Sequence, residues 1–416
     1  MDSPGGRTIS ADQIIVGIDV GTTKVCTLIA DMASGSPEIL GVGICPSQGL
    51  RKGVVVDVQA AVSAIESSLR RAEQQSGFKA MSALVGIAGA HVLSTNSHAV
   101  VAVRNTDGVI SSEDVSRVID GARIIQLPPD QEILHVIPRH FVVDGMDGIR
   151  HPVGMVGRRL EVEANIVTGS MTSIHNLVRC IESVDVDLDA LVLEPLAAGC
   201  AVLSEAERDL GCMVIDIGGG TTDSAVFRDG SLIHSFILPV GGYQISNDLA
   251  VGLRATFSVA EELKIRHGST TARANEGEII AVPAYGRDEG QPVDQRVVAE
   301  IIEARLAETF EMVEAEMTRA GYRDAFPAGI IVTGGSAQIA GVAALASEIL
   351  GVPARIGVPT GLRGLADAVR GPAFATSIGL LIWGGEQLNL STHPRGKSRI
   401  ARTGASLKTW LGNFFG

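Results

Sequence analysis

Aromatic residues are scarce, 4% of 416, and there are five cysteines. Cys26, Cys45, Cys180, Cys200 and Cys212 lie far apart and form no CxxC pair. That argues against a zinc site and a disulfide framework, and points to reduced thiols. Positive charge is not in excess: the formal net charge is −13, which argues against a general nucleic-acid binder. No stretch reaches the ~18 uninterrupted apolar residues of a membrane span. The nearest, Ala373 to Trp383, contains Thr and Ser, runs into Gly384-Gly385, and reads as a buried helix. The opening MDSPGGRTISADQ has no basic start and no apolar stretch, so export is not expected. What the chain has is 45% hydrophobic and 19% charged residues with 49 glycines, a globular composition with length for two or more domains.

Strand-like runs at Ile14 to Asp19, Val25 to Asp31 and Glu38 to Cys45 open the chain. A helix follows from about Val58 to Gln75, with Asp57 as N-cap. Strands and helices then alternate to Trp383, which indicates an α/β class. Loops of a smaller inserted unit are expected at Gly268 to Gly277 and Tyr285 to Gln291.

One internal repeat stands out. Residues 14–31, IIVGIDVGTTKVCTLIAD, and residues 212–230, CMVIDIGGGTTDSAVFRDG, share one pattern: an apolar strand ending in Asp, a Gly/Thr turn, and a second apolar strand. The spacing implies two copies of one domain core, each contributing a hairpin. Glycine turns let backbone N–H groups approach an anion. Thr22, Thr23, Thr221 and Thr222 add hydroxyl donors, and Lys24 adds a point charge suited to phosphate. Asp19 and Asp216 suit a Mg²⁺ ion held through its waters. Two such hairpins facing each other would clamp a nucleoside triphosphate. A strand running into Gly334-Gly335-Ser336 and a helix can place backbone against an adenosine. Glu261 and Lys264, one helical turn apart, could reach ribose and base, or form a surface ion pair. The histidines show no metal-ligand spacing.

The C-terminal end differs in composition. Gln387 to Gly416 has no acidic residue and five basic ones, Arg395, Lys397, Arg399, Arg402 and Lys408, which leaves −18 on the remainder. Asn389 to Ala405, rich in Ser, Thr, Gly and Pro, reads as a flexible linker. In SLKTWLGNFFG, Leu407, Trp410, Leu411, Phe414 and Phe415 share one helical face, with Lys408, Thr409 and Asn413 opposite. That is the pattern of an in-plane membrane helix, basic residues on anionic headgroups; the alternative is a terminal helix docked on its own domain. Several copies on one assembly would bind a membrane firmly by avidity.

In order, these motifs resemble the actin/Hsp70/sugar-kinase ATPase superfamily: DVGTTK (19–24), LEPLAAG (193–199), DIGGGTTD (216–223), TGGSAQIAG (333–341) and the segment around Ser377-Ile378-Gly379. Within it the chain is similar to the FtsA family of bacterial cell division proteins from Ile14 to Gly385, including ALVGIAGAHVLSTNSHAVV (83–101), EILHVIPRHFVVDG (132–145) and HPVGMVGRRLEVEANIVTG (151–169). The resemblance implies an α/β, actin-like fold: a duplicated ribonuclease H-like core in two lobes around a nucleotide cleft, with an SHS2-like subdomain 1C. Subdomain 1A would take 1–82, 166–209 and the last helix at 371–386, and 1C would take 83–165. Subdomain 2A would take 210–250 and 323–370, 2B 251–322, the linker 387–405 and the membrane helix 406–416.

The same resemblance implies that Asp19, Gly21, Thr22, Thr23 and Lys24 contact the β- and γ-phosphates and the Mg²⁺ shell, opposite Asp216, Gly218, Gly219, Gly220, Thr221 and Thr222. Gly334, Gly335 and Ser336 would hold the adenosine of ATP, Glu261 and Lys264 would lie near ribose and base, and Gly241-Gly242 would form another turn by the nucleotide. Glu194 would sit where an acidic residue orients the attacking water, in a protein with at most weak ATPase activity. Implied partners are the FtsZ C-terminal peptide, bound in 2B with Arg305 as a contact, further copies in an actin-like filament, anionic lipids, and downstream division proteins. The implied location is the cytoplasmic face of the cell membrane at the division site. His151 stands where the family leads us to expect an acidic residue, and the linker is basic and short. A small-molecule kinase and a PilM-like pilus-assembly adaptor are alternatives on the same fold; the terminal helix argues against the adaptor.

Overall fold

The structure is a computed structural model that describes residues 13–271, 277–283 and 290–390. The chain begins with β1 (Ile14–Val20), β2 (Lys24–Asp31) and β3 (Glu38–Pro46), an antiparallel meander. A short hairpin of β4 (Leu50–Arg51) and β5 (Val54–Val55) leads to α1 (Val58–Ser76). Asp57 caps α1 by accepting from Ala60 N at 3.1 Å. Strand β6 (Ser82–Ile87) then returns parallel to β1.

The chain next leaves this sheet to build a smaller one. It comprises β7 (Leu93–Ala102), α2 (Ser112–Ala122), β8 (Gln131–Val143), β9 (Met146–Ile149) and β10 (Arg159–Ser170), in strand order β7-β10-β8-β9. Its core joins Val115, Val118 and Ile119 of α2 to Leu160, Val162 and Ile166 of β10. Then α3 (Met171–Glu182) and β11 (Asp187–Leu193) return to the first sheet, where β11 lies parallel to β6. Helices α4 (Glu194–Val202) and α5 (Glu205–Leu210) cross to the second lobe.

The second lobe repeats the design. Strands β12 (Cys212–Ile217), β13 (Thr222–Arg228) and β14 (Ser231–Leu238) form a meander. They are followed by α6 (Gly242–Gly252), α7 (Phe257–His267), the hairpin of β15 (Ile279–Val282) and β16 (Gln291–Asp294), and α8 (Gln295–Ala320). Strand β17 (Ile330–Thr333) then lies parallel to β12, α9 (Val342–Leu350) follows, and β18 (Ala354–Ile356) lies parallel to β17. A short β19 (Arg363–Gly364) joins the free edge of β3, and α10 (Ala375–Leu390) packs back on the first lobe. The first sheet runs β11-β6-β1-β2-β3-β19 and the second β14-β13-β12-β17-β18. Each contains the same meander flanked by two parallel strands. Strands β1 and β12 are almost wholly buried, as unbroken apolar runs in sheets covered on both faces should be.

Three expected boundaries move. Strand β6 belongs to the first large sheet, so residues 83–87 are not part of the small-sheet subdomain; their continuous burial marks an interior parallel strand. At the other end β10 remains paired with β8 to Ser170, five residues past the expected limit at 165. Residues 387–390, expected as linker, continue α10, because Gln and Leu favour helix and no Gly or Pro interrupts them. Of the expected loops, 272–276 and 285–289 lie outside the described residues, and Gln291 already belongs to β16. The rest of the linker and the terminal helix, with Leu407, Lys408, Trp410, Leu411, Phe414 and Phe415, also lie outside the described residues.

Candidate functional site

Both repeated segments are hairpins whose turns close alike. Gly21 N donates to Lys24 O at 3.1 Å, and Gly218 N donates to Thr221 O at 2.9 Å. Asp19 faces Cys26 across the first hairpin and Asp216 faces Asp223 across the second. The turns come together between the lobes. A Cβ on Gly219 would stand 1.9 Å from Thr23 Oγ1, and one on Gly220 would stand 2.7 Å from Thr22 Oγ1. Only glycine allows so close an approach.

A cleft of about 330 Å³ opens at this junction. Asp19, Gly21, Thr22, Thr23 and Lys24 line it from the first lobe, and Asp216, Gly218, Gly219 and Thr221 from the second. Gly242, Glu261 and Lys264 form one flank, and Gly334, Gly335 and Ser336 another. Glu194, the first residue of α4, also reaches the cleft. Thus the structure brings most of the sequence-derived set into one space.

Three members lie behind the wall. Thr222 is fully buried and its Oγ1 donates to Val240 O at 2.9 Å. Gly220 packs on Thr22, and a Cβ on Gly241 would stand 2.7 Å from Gly218 O. These three shape the turns without facing the cleft.

Several side chains are already engaged. Glu261 Oε2 accepts from Ser246 Oγ at 2.5 Å and from Lys264 Nζ at 2.8 Å, while Lys264 Nζ also donates to Gly242 O at 3.0 Å. The pair is therefore an ion pair and part of the cleft wall together. Lys24 Nζ donates to Ala373 O and stands 4.3 Å from the centre of the Phe374 ring. On α8, Arg305 Nε holds Asp248 Oδ2 of α6 at 2.5 Å, and its Nη1 holds Glu308. These carboxylates raise its already high pKa.

Acidic groups dominate the electrostatics. Burial pushes Asp19 above the ordinary carboxylate range, against the opposing pull of Lys24 and of a hydrogen bond from Ser377. Burial lifts Asp216 to about 6. Asp223 and Glu194 are also raised well above the ordinary carboxylate value, by burial first and then by neighbouring carboxylates. Asp223 Oδ1, buried in the cleft, has no hydrogen-bond partner among the described residues. Carboxyl groups crowded this way bind protons tightly until a cation replaces them. Among the described residues no three carboxylate, imidazole or thiol groups converge closely enough to ligate an ion directly. Asp19 and Asp216, one from each hairpin and both lining the cleft, are the carboxylates that could hold an ion through its water shell, as Mg²⁺ is held.

Sequence reasoning passed over Asp223, Thr376, Gly53, Ala88 and Gly268 as wall residues. Asp223 ended a motif already singled out, so its acidity beside a second Asp was the available signal. Among the described residues no helix is long and apolar enough to cross a membrane.

Comparison with known proteins agrees with this architecture. The family model "Cell division protein FtsA" matches residues 213–379, and "SHS2 domain inserted in FTSA" matches residues 89–168. The cell division protein FtsA of Pseudomonas aeruginosa is 41% identical over 379 residues, covering 91% of this chain and 90% of that one. FtsA of Bacillus subtilis is 39% identical, covering 89% of this chain and 83% of that protein, and FtsA of Escherichia coli is 32% identical, covering 96% of each. Among solved structures, a PilM-PilN type IV pilus biogenesis complex aligns with TM-score 0.64 at 16% identity, covering 89% of this chain and 98% of that one. MreB5 of Spiroplasma citri bound to ADP aligns with TM-score 0.56 at 15% identity, covering 92% and 99%. At such identities these structures show the fold alone, and that fold is actin-like.

Proposed function

The chain belongs to the FtsA family of cell division proteins, and on that premise we propose that it binds ATP with Mg²⁺ between its lobes. We propose further that it assembles into actin-like filaments and tethers FtsZ to the inner face of the cytoplasmic membrane through residues 406–416. The observation that carries the nucleotide reading is the meeting of two Gly/Thr hairpin turns, with Gly219 against Thr23, at the floor of an acidic cleft. MreB5 of Spiroplasma citri, of like fold, has been solved with ADP and with AMPPNP. MamK, aligned with TM-score 0.51, has been solved as a double helical filament.

In this reading the turn amides and the hydroxyls of Thr22, Thr23 and Thr221 cradle the phosphates. Lys24 leaves the Ala373 carbonyl to meet phosphate charge. Asp19 and Asp216 would hold a Mg²⁺ ion through its waters, where it would supply positive charge against the phosphates. Gly334, Gly335 and Ser336 border the adenosine, with Glu261 and Lys264 on its flank. Glu194, at the cleft, would orient an attacking water and take up its proton. An acidic FtsZ peptide approaching α8 would compete with Asp248 for Arg305, which makes Arg305 a weaker anchor than an unpaired arginine.

The membrane part is tested by sedimentation with anionic vesicles in ATP and Mg²⁺, comparing the intact chain with a version ending at Ala405. FtsZ is added to each. The proposal expects the intact chain to pellet and bring FtsZ with it, and the shortened chain to leave both in solution. Equal sedimentation of the two chains would overturn the tether.

A further inference from the structure

The floor of the cleft is crossed by one segment, residues 372–377, that touches both lobes. Pro372 O accepts from Gly334 N at 3.1 Å and from Thr333 Oγ1 at 3.1 Å, both in the second lobe. Ala373 O accepts from Lys24 in the first. At the first turn of α10, two adjacent hydroxyls then part company. Thr376 Oγ1 donates to Asp216 Oδ2 at 3.0 Å, and Ser377 Oγ donates to Asp19 Oδ2 at 2.7 Å. All four side chains are buried. Each aspartate comes from the corresponding strand end of a different lobe, so one dipeptide grips both halves of the repeat.

We propose that Thr376 and Ser377 act as a clasp: positioning residues that fix the two aspartates, and hence the spacing of the lobes, for a hydrated Mg²⁺–nucleotide. This rests on the nucleotide reading of the cleft. The chemistry follows from what a hydroxyl can give. A donated hydrogen bond stabilises the ionised carboxylate, which burial alone opposes. It engages one oxygen of each aspartate and leaves Oδ1 for the ion's waters. Because the two hydroxyls are carried on one helical turn, neither aspartate can move with its lobe without breaking its bond or dragging α10. Asp19 and Asp216 are therefore held as a pair at a set separation, the preorganisation that a water-mediated ion site requires.

The test uses the full chain with Thr376→Val, Ser377→Ala, the double variant, and the conservative pair Thr376→Ser and Ser377→Thr. Calorimetry gives the affinity for ATP in Mg²⁺ and for ADP in EDTA. Loss of each hydroxyl is expected to weaken Mg²⁺–ATP binding by about tenfold, while ADP binding in EDTA stays within about twofold. The conservative variants keep a donor, are expected to bind like the parent, and show whether the site tolerates change without unfolding. Equal affinities in parent and double variant, or a loss of the same size with and without Mg²⁺, would overturn the clasp while leaving the nucleotide site standing. A parent chain that binds no Mg²⁺–ATP would instead remove the nucleotide reading and the clasp together.

Discussion

Glu194 shows how position in the chain becomes chemistry. It follows directly on β11 and opens α4, with Pro195 behind it, so a strand end and a helix start together hold its carboxylate at the cleft. Gly86 of β6 leaves it room: a Cβ there would stand 3.2 Å from Glu194 Cγ. Glu194→Gln keeps the shape and removes the carboxylate proposed to act as base. We expect hydrolysis in a single-turnover assay to fall by about 100-fold with ATP affinity nearly unchanged. Unchanged hydrolysis would remove Glu194 from the reaction. The repeated Asp and Gly/Thr turns were readable in the sequence because each signal lies within eight residues of chain. Thr376 and Ser377 were not readable as ligands of those aspartates, whose positions lie 160 and 358 residues away. Only the folded chain brings hydroxyl and carboxylate together.

The joint between β8 of the small sheet and the end of β11 has a chemistry of its own. Strand β11 is an edge of the first large sheet, and the backbone N–H of Leu193 donates to His135 Nε2 at 3.1 Å. An acceptor at Nε2 puts the ring proton on Nδ1 in the neutral tautomer. The ring also stands edge-on to Trp383 of α10, 6.4 Å between centres. Burial lowers the pKa of His135 from 6.5 to about 4. The sign follows from linkage. The unfolded chain takes up the proton first, so stability is intact above pH 6.5 and is lost as pH falls to about 4, with a ceiling of about 3 kcal/mol. His135→Gln retains an acceptor without a titration. Urea unfolding at pH 7 and pH 4.5 is therefore expected to show a smaller acid loss in the variant, by about 2 kcal/mol. Parallel losses would mean that other groups carry the acid sensitivity; the half-buried His91 and His234, each also lowered by partial burial, are the first to examine. The start of the small subdomain lies later than the sequence suggests for a separate reason. The run ALVGI is equally apolar whichever sheet it enters, and only its pairing with β1 assigns it to the first lobe.

The two lobes repeat one design, yet they do not own separate interiors. One apolar cluster takes Leu28 and Ala30 from the first sheet, Ala197 and Ala198 from α4, Val214 and Phe227 from the second sheet, and Ile378 and Leu381 from α10. The fit is tight where α4 meets its neighbours. A Cβ on Gly199 would stand 2.5 Å from Phe227 Cζ, and one on Gly379 would stand 1.8 Å from Ala197 O. Opening one lobe would strip apolar surface from the other, which favours cooperative unfolding. A second lobe that had merely been tethered would melt by itself. Calorimetry of the nucleotide-free chain should therefore show one unfolding transition. Mg²⁺–ATP at a hundredfold excess over its Kd should add about 2.7 kcal/mol and move that whole transition upward. Two resolved transitions, only one of them shifted by nucleotide, would show that the shared cluster does not unite the lobes. The cleft would then lie between bodies free to separate, and the spacing of Asp19 and Asp216 would depend on the ligand rather than on the fold.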